Sequence, residues 1–182
     1  MRLPASDLQL RTATLDDVHA LTALIAVSAR ALCCGDYTQG QIEAAIGTAW
    51  GVDTQLLRDG TYVVVEEGRH LWACGGWSQR KTLFGGDAHA DREPELLDPT
   101  RETARIRAFF VHPAAARRGI GRRLLEHCER EARAAGFHAA ELVATLPGQR
   151  LYRAYGYVGD DRVAYPLAGG GTIDFVPMRK VL

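Results

Sequence analysis

Apolar and polar residues alternate over Leu8-Gln9-Leu10-Arg11, the period of a short half-buried strand. Thr14 follows as an N-cap, and Asp16 and Asp17 put acids into a first helical turn. Val18, Leu21, Leu24, Ile25 and Ser28 then recur at helical spacing as one stripe. A break at Cys34-Gly35-Asp36 ends that helix, and Thr38 caps a second one carrying Ile42, Ala45 and Ile46. The β-branched run over 61–66 predicts a strand, Glu67-Gly68-Arg69 a turn and 70–77 a returning strand, together a hairpin. Over 85–100 the periodicity lapses. Gly85-Gly86, two prolines and Asp87, Asp91, Glu93, Glu95 and Asp98 predict an exposed acidic loop. It is no domain boundary, because strand patterning resumes directly after it.

Residues 104–111, ARIRAFFV, read as a strand closed by Pro113. The clearest helix covers 119–135, with Leu124, Leu125, Cys128 and Ala132 along one side and Gly136 in the position of a C′ glycine. Glu126/Arg130 and Glu129/Arg133 stand four apart with the acid first, the favourable order. A strand over 139–145, a short helix over 149–155 stopped by Gly156, and strands around 157–165 and 172–179 complete the pattern. The order is β-α-α-β-β-β-α-β-α-β-β. One strand–helix–strand unit at 104–145 requires neighbouring parallel strands joined by a right-handed crossover, and the other strands are free to pair antiparallel.

The 182 residues suit one domain, 1–182. A hydrophobic share of 47% excludes a disordered chain. Lys+Arg and Asp+Glu both number 22, so neither nucleic acid nor a membrane surface is expected to attract the molecule as a whole. No apolar run reaches the roughly 18 residues of a spanning helix. Residues 1–7 lack a secretory apolar core, and a cytoplasmic protein is expected. Cys33, Cys34, Cys74 and Cys128 show no C-x-x-C spacing and read as reduced thiols, mostly core, with no metal implied.

Charge is nevertheless unevenly placed. Between Arg101 and Arg133 nine arginines stand against four acids, a local net of +5 that the rest of the chain balances with −5. Arg117, Arg118, Arg122 and Arg123 cluster where a strand runs through Gly119 and Gly121 into the long helix. The first amides of a helix lack intrahelical partners and sit at the positive end of its dipole, and glycine lets an anion approach them. A phosphate-bearing ligand follows. The P-loop pattern needs a lysine that is absent, and the dinucleotide pattern G-x-G-x-x-G fails at Leu124.

Residues 104–157 resemble the GNAT superfamily of acyl-CoA-dependent N-acyltransferases. The superfamily loop reads [QR]-x-x-G-x-[GA]; here the frame is Ala116-Arg117-Arg118-Gly119-Ile120-Gly121, departing at its first position. The segment Leu151-Tyr152-Arg153-Ala154-Tyr155-Gly156-Tyr157 is similar to the superfamily's [FL]-Y-x-x-x-G-[FY]. The resemblance implies that Phe109, Phe110 and Val111 give main-chain contacts to the pantetheine arm of acetyl-CoA. It implies that Arg117, Arg118, Gly119, Ile120, Gly121 and Arg122 hold the diphosphate, and that Tyr152 protonates the departing thiolate. The Asn that the superfamily often places seven residues before this tyrosine is Thr145 here. The implied fold is α+β: a mixed, mostly antiparallel seven-stranded sheet with helices on both faces and a central parallel pair that splays apart. The implied reaction is acetyl transfer from acetyl-CoA to a primary amine of a small-molecule or peptide acceptor by direct attack in a ternary complex.

Two other function classes are a catalytically silent acyl-CoA sensor and a nucleic-acid-binding module built on the arginines. The glutamate that serves as base in some superfamily members is replaced by Arg105, which leaves either Glu141 on the next strand, if the register faces it inward, or a water relay from a residue of the acidic loop, with His112 read as a loop residue. Strict alternation would put Arg105 and Arg107 on the same face as Phe109 and Val111, either facing an anionic group on the acceptor or paired with local acids. The acidic loop hints at a cationic acceptor. A homodimer is slightly favoured.

Overall fold

The computed structural model describes residues 8–89 and 92–182. Met1–Asp7, read above for a secretory signal, and Asp91 of the acidic loop lie outside the described residues. Seven strands form one sheet: β1 (Gln9–Thr12), β2 (Tyr62–Glu67), β3 (His70–Ser78), β4 (Ala104–Val111), β5 (Ala139–Thr145), β6 (Val163–Pro166) and β7 (Thr172–Val181). Their order is β1-β2-β3-β4-β5-β7-β6, and only β4–β5 is parallel. Among the described residues five α-helices join them: α1 (Val18–Leu32), α2 (Gln39–Ala45), α3 (Thr54–Arg58), α4 (Ile120–Ala134) and α5 (Gln149–Ala154).

The two faces of the sheet carry separate cores. On one, Val63, Ala73, Ile106, Ala140 and Leu142 meet the apolar side of α4 (Leu124, Leu125, Cys128, Ala132) and Tyr152 of α5. On the other, Tyr62, Val64 and Cys74 meet Leu21, Leu24 and Ile25 of α1, Ile42 of α2 and Leu56 of α3. The helical stripes predict these burials. Thr38 caps α2 as expected, its hydroxyl accepting from Gln41 N at 3.2 Å while its own amide donates to Gln41 Oε1 at 2.9 Å. Thr14 instead opens a 3-10 turn, Leu15–Asp17, and α1 starts after it.

Other expectations change as well. Helix α3 is an addition; five residues are too few to show a helical period, and Asp53 starts it by accepting from Gln55 N at 2.9 Å. The strand expected over 157–165 shortens to β6: 163–166 pair with β7 as a ladder, while Val158 meets β7 only in an isolated bridge to Arg179. The acidic loop has a built base: Lys81 N donates to Glu95 O at 3.0 Å and Thr82 N to Glu93 O at 2.9 Å, with Thr82, Gly86 and Leu97 buried. On α4, Glu129 pairs with Arg133 at 3.6 Å, but Glu126 takes Arg122 at 2.7 Å and not Arg130, which turns to His127 at 2.8 Å.

A bulge in β4 decides which way its side chains point. Ala108 has a left-handed φ of 57°, and the register with β3 shifts between Cys74↔Phe110 and Gly76↔Arg107. An extra residue in one strand reverses the alternation beyond it. Ile106 therefore faces the α4 core, whereas Ala108 and Phe110 pack on the α1 core and Phe109 and Val111 on the α4 core. Arg105 and Arg107 thus lie on the face opposite Phe109 and Val111, correcting the strict-alternation reading. Gly75 gives the room: a Cβ there would sit 2.7 Å from the Phe109 ring.

Helix α4 is anchored to β7 by buried Glu129, whose two carboxylate oxygens each accept from Lys180 Nζ at 2.8 Å. Glu129→Ala strands that ammonium and is expected to lower the unfolding free energy by about 2–3 kcal/mol, read by urea denaturation. A loss below about 1 kcal/mol would show that the pair is no anchor.

Candidate active site

Strand β4 leaves the sheet's centre at His112, passes the 3-10 turn Pro113–Ala115 and bends into α4. Arg117 (φ 62°) and Gly119 (φ 78°) are both left-handed, which turns the chain sharply. Gly119 is the N-cap, and no side chain caps the helix. The first intrahelical bond runs from Arg123 N to Gly119 O at 3.0 Å, so the amides of residues 119–122 precede the ladder and lie at the positive end of the dipole. Among the described residues a Cβ built at Gly119 would meet nothing within 4 Å, so none of them crowds that side of the bend. Gly121 serves a different purpose: a Cβ there would lie 3.2 Å from Leu151 of α5. That glycine lets α5 close on α4 and brings the two sequence motifs together.

The arginines are not all aimed at the bend. Arg122 pairs with Glu126 at 2.7 Å and lies 5.8 Å over the Tyr155 ring, while Arg123 donates to Leu8 O at 3.1 Å. Arg117 and Arg118 are exposed beside Gly119, and Ile120 is buried in the α4 core.

A slot opens between β4 and β5. Their ladder consists of Ala104↔Ala140 and Arg105↔Glu141 alone, although β4 continues to Val111 and β5 to Thr145. Amides of successive strand residues point to opposite edges. His112 N donates to Trp72 O on β3 at 2.8 Å, so Val111 N points to the edge that β5 leaves open. There it donates to Ser28 Oγ of α1 at 3.2 Å. Tyr37, following α1, ties the far side: its hydroxyl donates to Asp174 O at 2.7 Å and accepts from Leu146 N at 2.8 Å, just past β5.

Tyr152 stands on the α4 side of the slot, 8% exposed, its ring centroid 6.2 Å from that of Phe109 and 5.8 Å from that of Tyr157, both edge-on. Burial, reinforced by the neighbouring Cys128 thiol, pushes its phenol well above the ordinary range, so it holds its proton. Thr145 Oγ1 accepts from Gly148 N at 3.1 Å, which fixes the turn into α5.

On the α1 side, Ala108, Phe110, Val143 and Leu146 are half-buried around the slot. The charged groups nearby pair among themselves. Fully buried Asp53 binds Arg107, accepts from Arg92 at 2.7 Å and from Gln55 N at 2.9 Å, and Arg107 also donates to Gly85 O at 2.6 Å. Burial lowers the Arg107 pKa, with the Asp53 carboxylate opposing that shift. Arg105 pairs with Glu141 at the slot's closed end and donates to Thr103 Oγ1 at 2.7 Å. Local pairing is thus where both arginines go, and Glu141 is held by one of them. His112 accepts from Ala114 N through Nδ1 at 3.2 Å, and burial and His70 lower its pKa, so it acts as a neutral turn cap.

Sequence reasoning did not single out Ser28, Tyr37 or Asp53. Ser28 carried one signal, a hydroxyl inside an otherwise apolar stripe. The other two acquire their roles from residues distant in the chain.

A sequence model described as the Acetyltransferase (GNAT) family matches residues 33–157. No curated protein sequence matches the chain. Among solved structures, a GCN5-related N-acetyltransferase from Rhodopseudomonas palustris superposes with a TM-score of 0.72 at 19% identity, covering 100% of both chains. The PaiA N-acetyltransferase of Thermoplasma acidophilum, in complex with coenzyme A, gives 0.67 at 16% identity over 96% of this chain and 99% of that one. A ribosomal-protein-alanine N-acetyltransferase from Brucella melitensis gives 0.62 at 19% identity over 96% and 99%. At these identities the likeness establishes the fold.

Asp53→Asn keeps the shape of the buried ion cluster but removes the charge that Arg107 and Arg92 share. It is expected to lower stability by about 3–5 kcal/mol in chemical denaturation. A change below about 1 kcal/mol would mean that water or another group already neutralises Arg107.

Proposed function

Because this chain belongs to the GNAT acetyltransferase family, we propose that it transfers an acetyl group from acetyl-CoA to a primary amine by direct attack in a ternary complex. The observation that carries the reading is the ladder between β4 and β5, which stops after two residue pairs and opens toward an uncapped helix start. The residues present fit coenzyme A. The amides of 119–122, beside a glycine that no described residue crowds, suit a diphosphate, with Arg117 and Arg118 at its edge. The edge of β4 that carries the Val111 amide suits the extended, amide-bearing pantetheine arm, which would lie where a strand is missing.

The thioester supplies the acyl chemistry; the protein holds both partners in line and excludes water. Preorganised main-chain donors on β4, near Val111, polarise the carbonyl. Tyr152 lies on the α4 side of the slot, where the sulfur departs. An ordinary thiol has a pKa of about 8.5, and the buried phenol lies above its own usual value of about 10. Tyr152 therefore stabilises the departing thiolate chiefly by donating a hydrogen bond. On the other side the amine meets Ala108, Phe110, Val143 and Leu146. An apolar surrounding disfavours the ammonium form, so the amine is presented neutral and nucleophilic, and the proton it gives up as the N–C bond forms and the C–S bond breaks ends on the departing thiolate. A small-molecule or peptide amine fits this reading equally.

Acetyl-CoA at a hundred times its dissociation constant is expected to stabilise the protein by about 2.7 kcal/mol, a rise of roughly 5–10 °C in Tm. Stabilisation by nucleic acid and not by acetyl-CoA would overturn the reading.

Tyr152→Phe is expected to lower kcat about a hundredfold while coenzyme binding stays within about twofold, measured by thiol release and calorimetry. The wild-type kcat should show no alkaline loss from this phenol up to about pH 10. Full activity of the variant would remove Tyr152 from the reaction.

A further inference from the structure

Ser28 is 4% exposed in the third turn of α1, and its hydroxyl accepts a 3.2 Å hydrogen bond from Val111 N at the open edge of β4. A hydroxyl has one proton to donate and two lone pairs to accept with. Helical hydroxyls commonly return that proton to the carbonyl four residues earlier. Thr22 does so, donating to Val18 O at 2.8 Å. Among the described residues Ser28 donates to nothing: its single hydrogen bond is the one it accepts. A buried donor without an acceptor is costly unless something else supplies one.

The place of this donor is specific. It lies where β4 has lost its neighbour, because β5 pairs with β4 only at Ala104↔Ala140 and Arg105↔Glu141. We propose that Ser28 is a binding residue for the acyl-pantetheine arm. It extends the Val111 amide through a relay, Val111 N–H to Ser28 Oγ and Ser28 O–H to a carbonyl oxygen of the arm. The amide's hydrogen bond polarises the hydroxyl and strengthens it as a donor. The arm's amides and thioester provide the carbonyls that a missing strand would have provided. This inference rests on the acetyl-CoA reading above and adds to it a side-chain contact from the acceptor-side helix. Substrate entry thereby replaces a missing acceptor inside the protein.

The test is Ser28→Ala, which removes only the hydroxyl, with Ser28→Thr as the variant that keeps it. Calorimetry would measure acetyl-CoA and, separately, ADP, which carries the diphosphate but no arm. Ser28→Ala should bind acetyl-CoA roughly three- to tenfold more weakly and ADP unchanged, and should raise KM for acetyl-CoA with kcat within about twofold. Ser28→Thr should recover most of the acetyl-CoA affinity. A general loss of structure would weaken both ligands alike and lower the thermal midpoint; that result, or an unchanged acetyl-CoA affinity in Ser28→Ala, overturns the proposal. If the wild-type protein itself bound neither ligand, the parent reading would fail, and the two failures are told apart by that control.

Discussion

Backbone amides and carbonyls removed from water need partners, and at the centre of this sheet β4 and β5 stop providing them to each other after Arg105↔Glu141. Much of the rest of the structure is arranged around that gap. Tyr37 satisfies Leu146 N just beyond β5, and Ser28 satisfies Val111 N on β4. These bonds hold the slot open with side chains from the α1 region without refilling it with strand. An extended amide-bearing arm is the kind of molecule that replaces a missing strand, since it offers donors and acceptors at the needed positions. The main-chain bend at Gly119 then extends the same logic from strand edge to helix end.

Two packing devices keep the slot's walls in register. The bulge at Ala108 rotates Phe109 and Val111 onto the α4 side, and Gly75 vacates the space the Phe109 ring needs. Gly121 lets Leu151 approach α4, so that Tyr152 on the next position faces the Phe109 ring. A glycine pattern that suggests anion binding thus has a divided purpose: the Gly119 conformation shapes the bend, and Gly121 sets a helix–helix distance. The charged groups follow a similar division. Asp53 collects Arg107 and Arg92, which pins the segment around Gly85 and Gly86 beside the sheet and leaves the slot's α1 side apolar.

The fold was legible wherever a period ran long enough. The stripe of α4, the β-branched run of β2 and the strand–helix–strand unit at 104–145 specified the element order. The glycines and the Tyr152 segment located the candidate site. What the sequence withheld depends on contacts between distant residues. A bulge inverts facing after a single residue, and Ala108 carries no mark of its left-handed φ. Whether Arg107 faces an acceptor anion or pairs with a local acid stays open in the sequence until Asp53, 54 positions earlier, is brought against it. Helix α3 is too short for periodicity, and the base of the acidic loop is built from main-chain bonds that composition does not encode.

The most direct measurement is amide hydrogen exchange, residue by residue, with and without acetyl-CoA. The account predicts slowed exchange concentrated at Phe109 on the open edge of β4 and at residues 119–122 of the bend, with Val111, already held by Ser28, and the β2–β3 ladder unchanged. Exchange at those amides that ignores acetyl-CoA, or protection appearing only on the α1 and α2 surface, would contradict it.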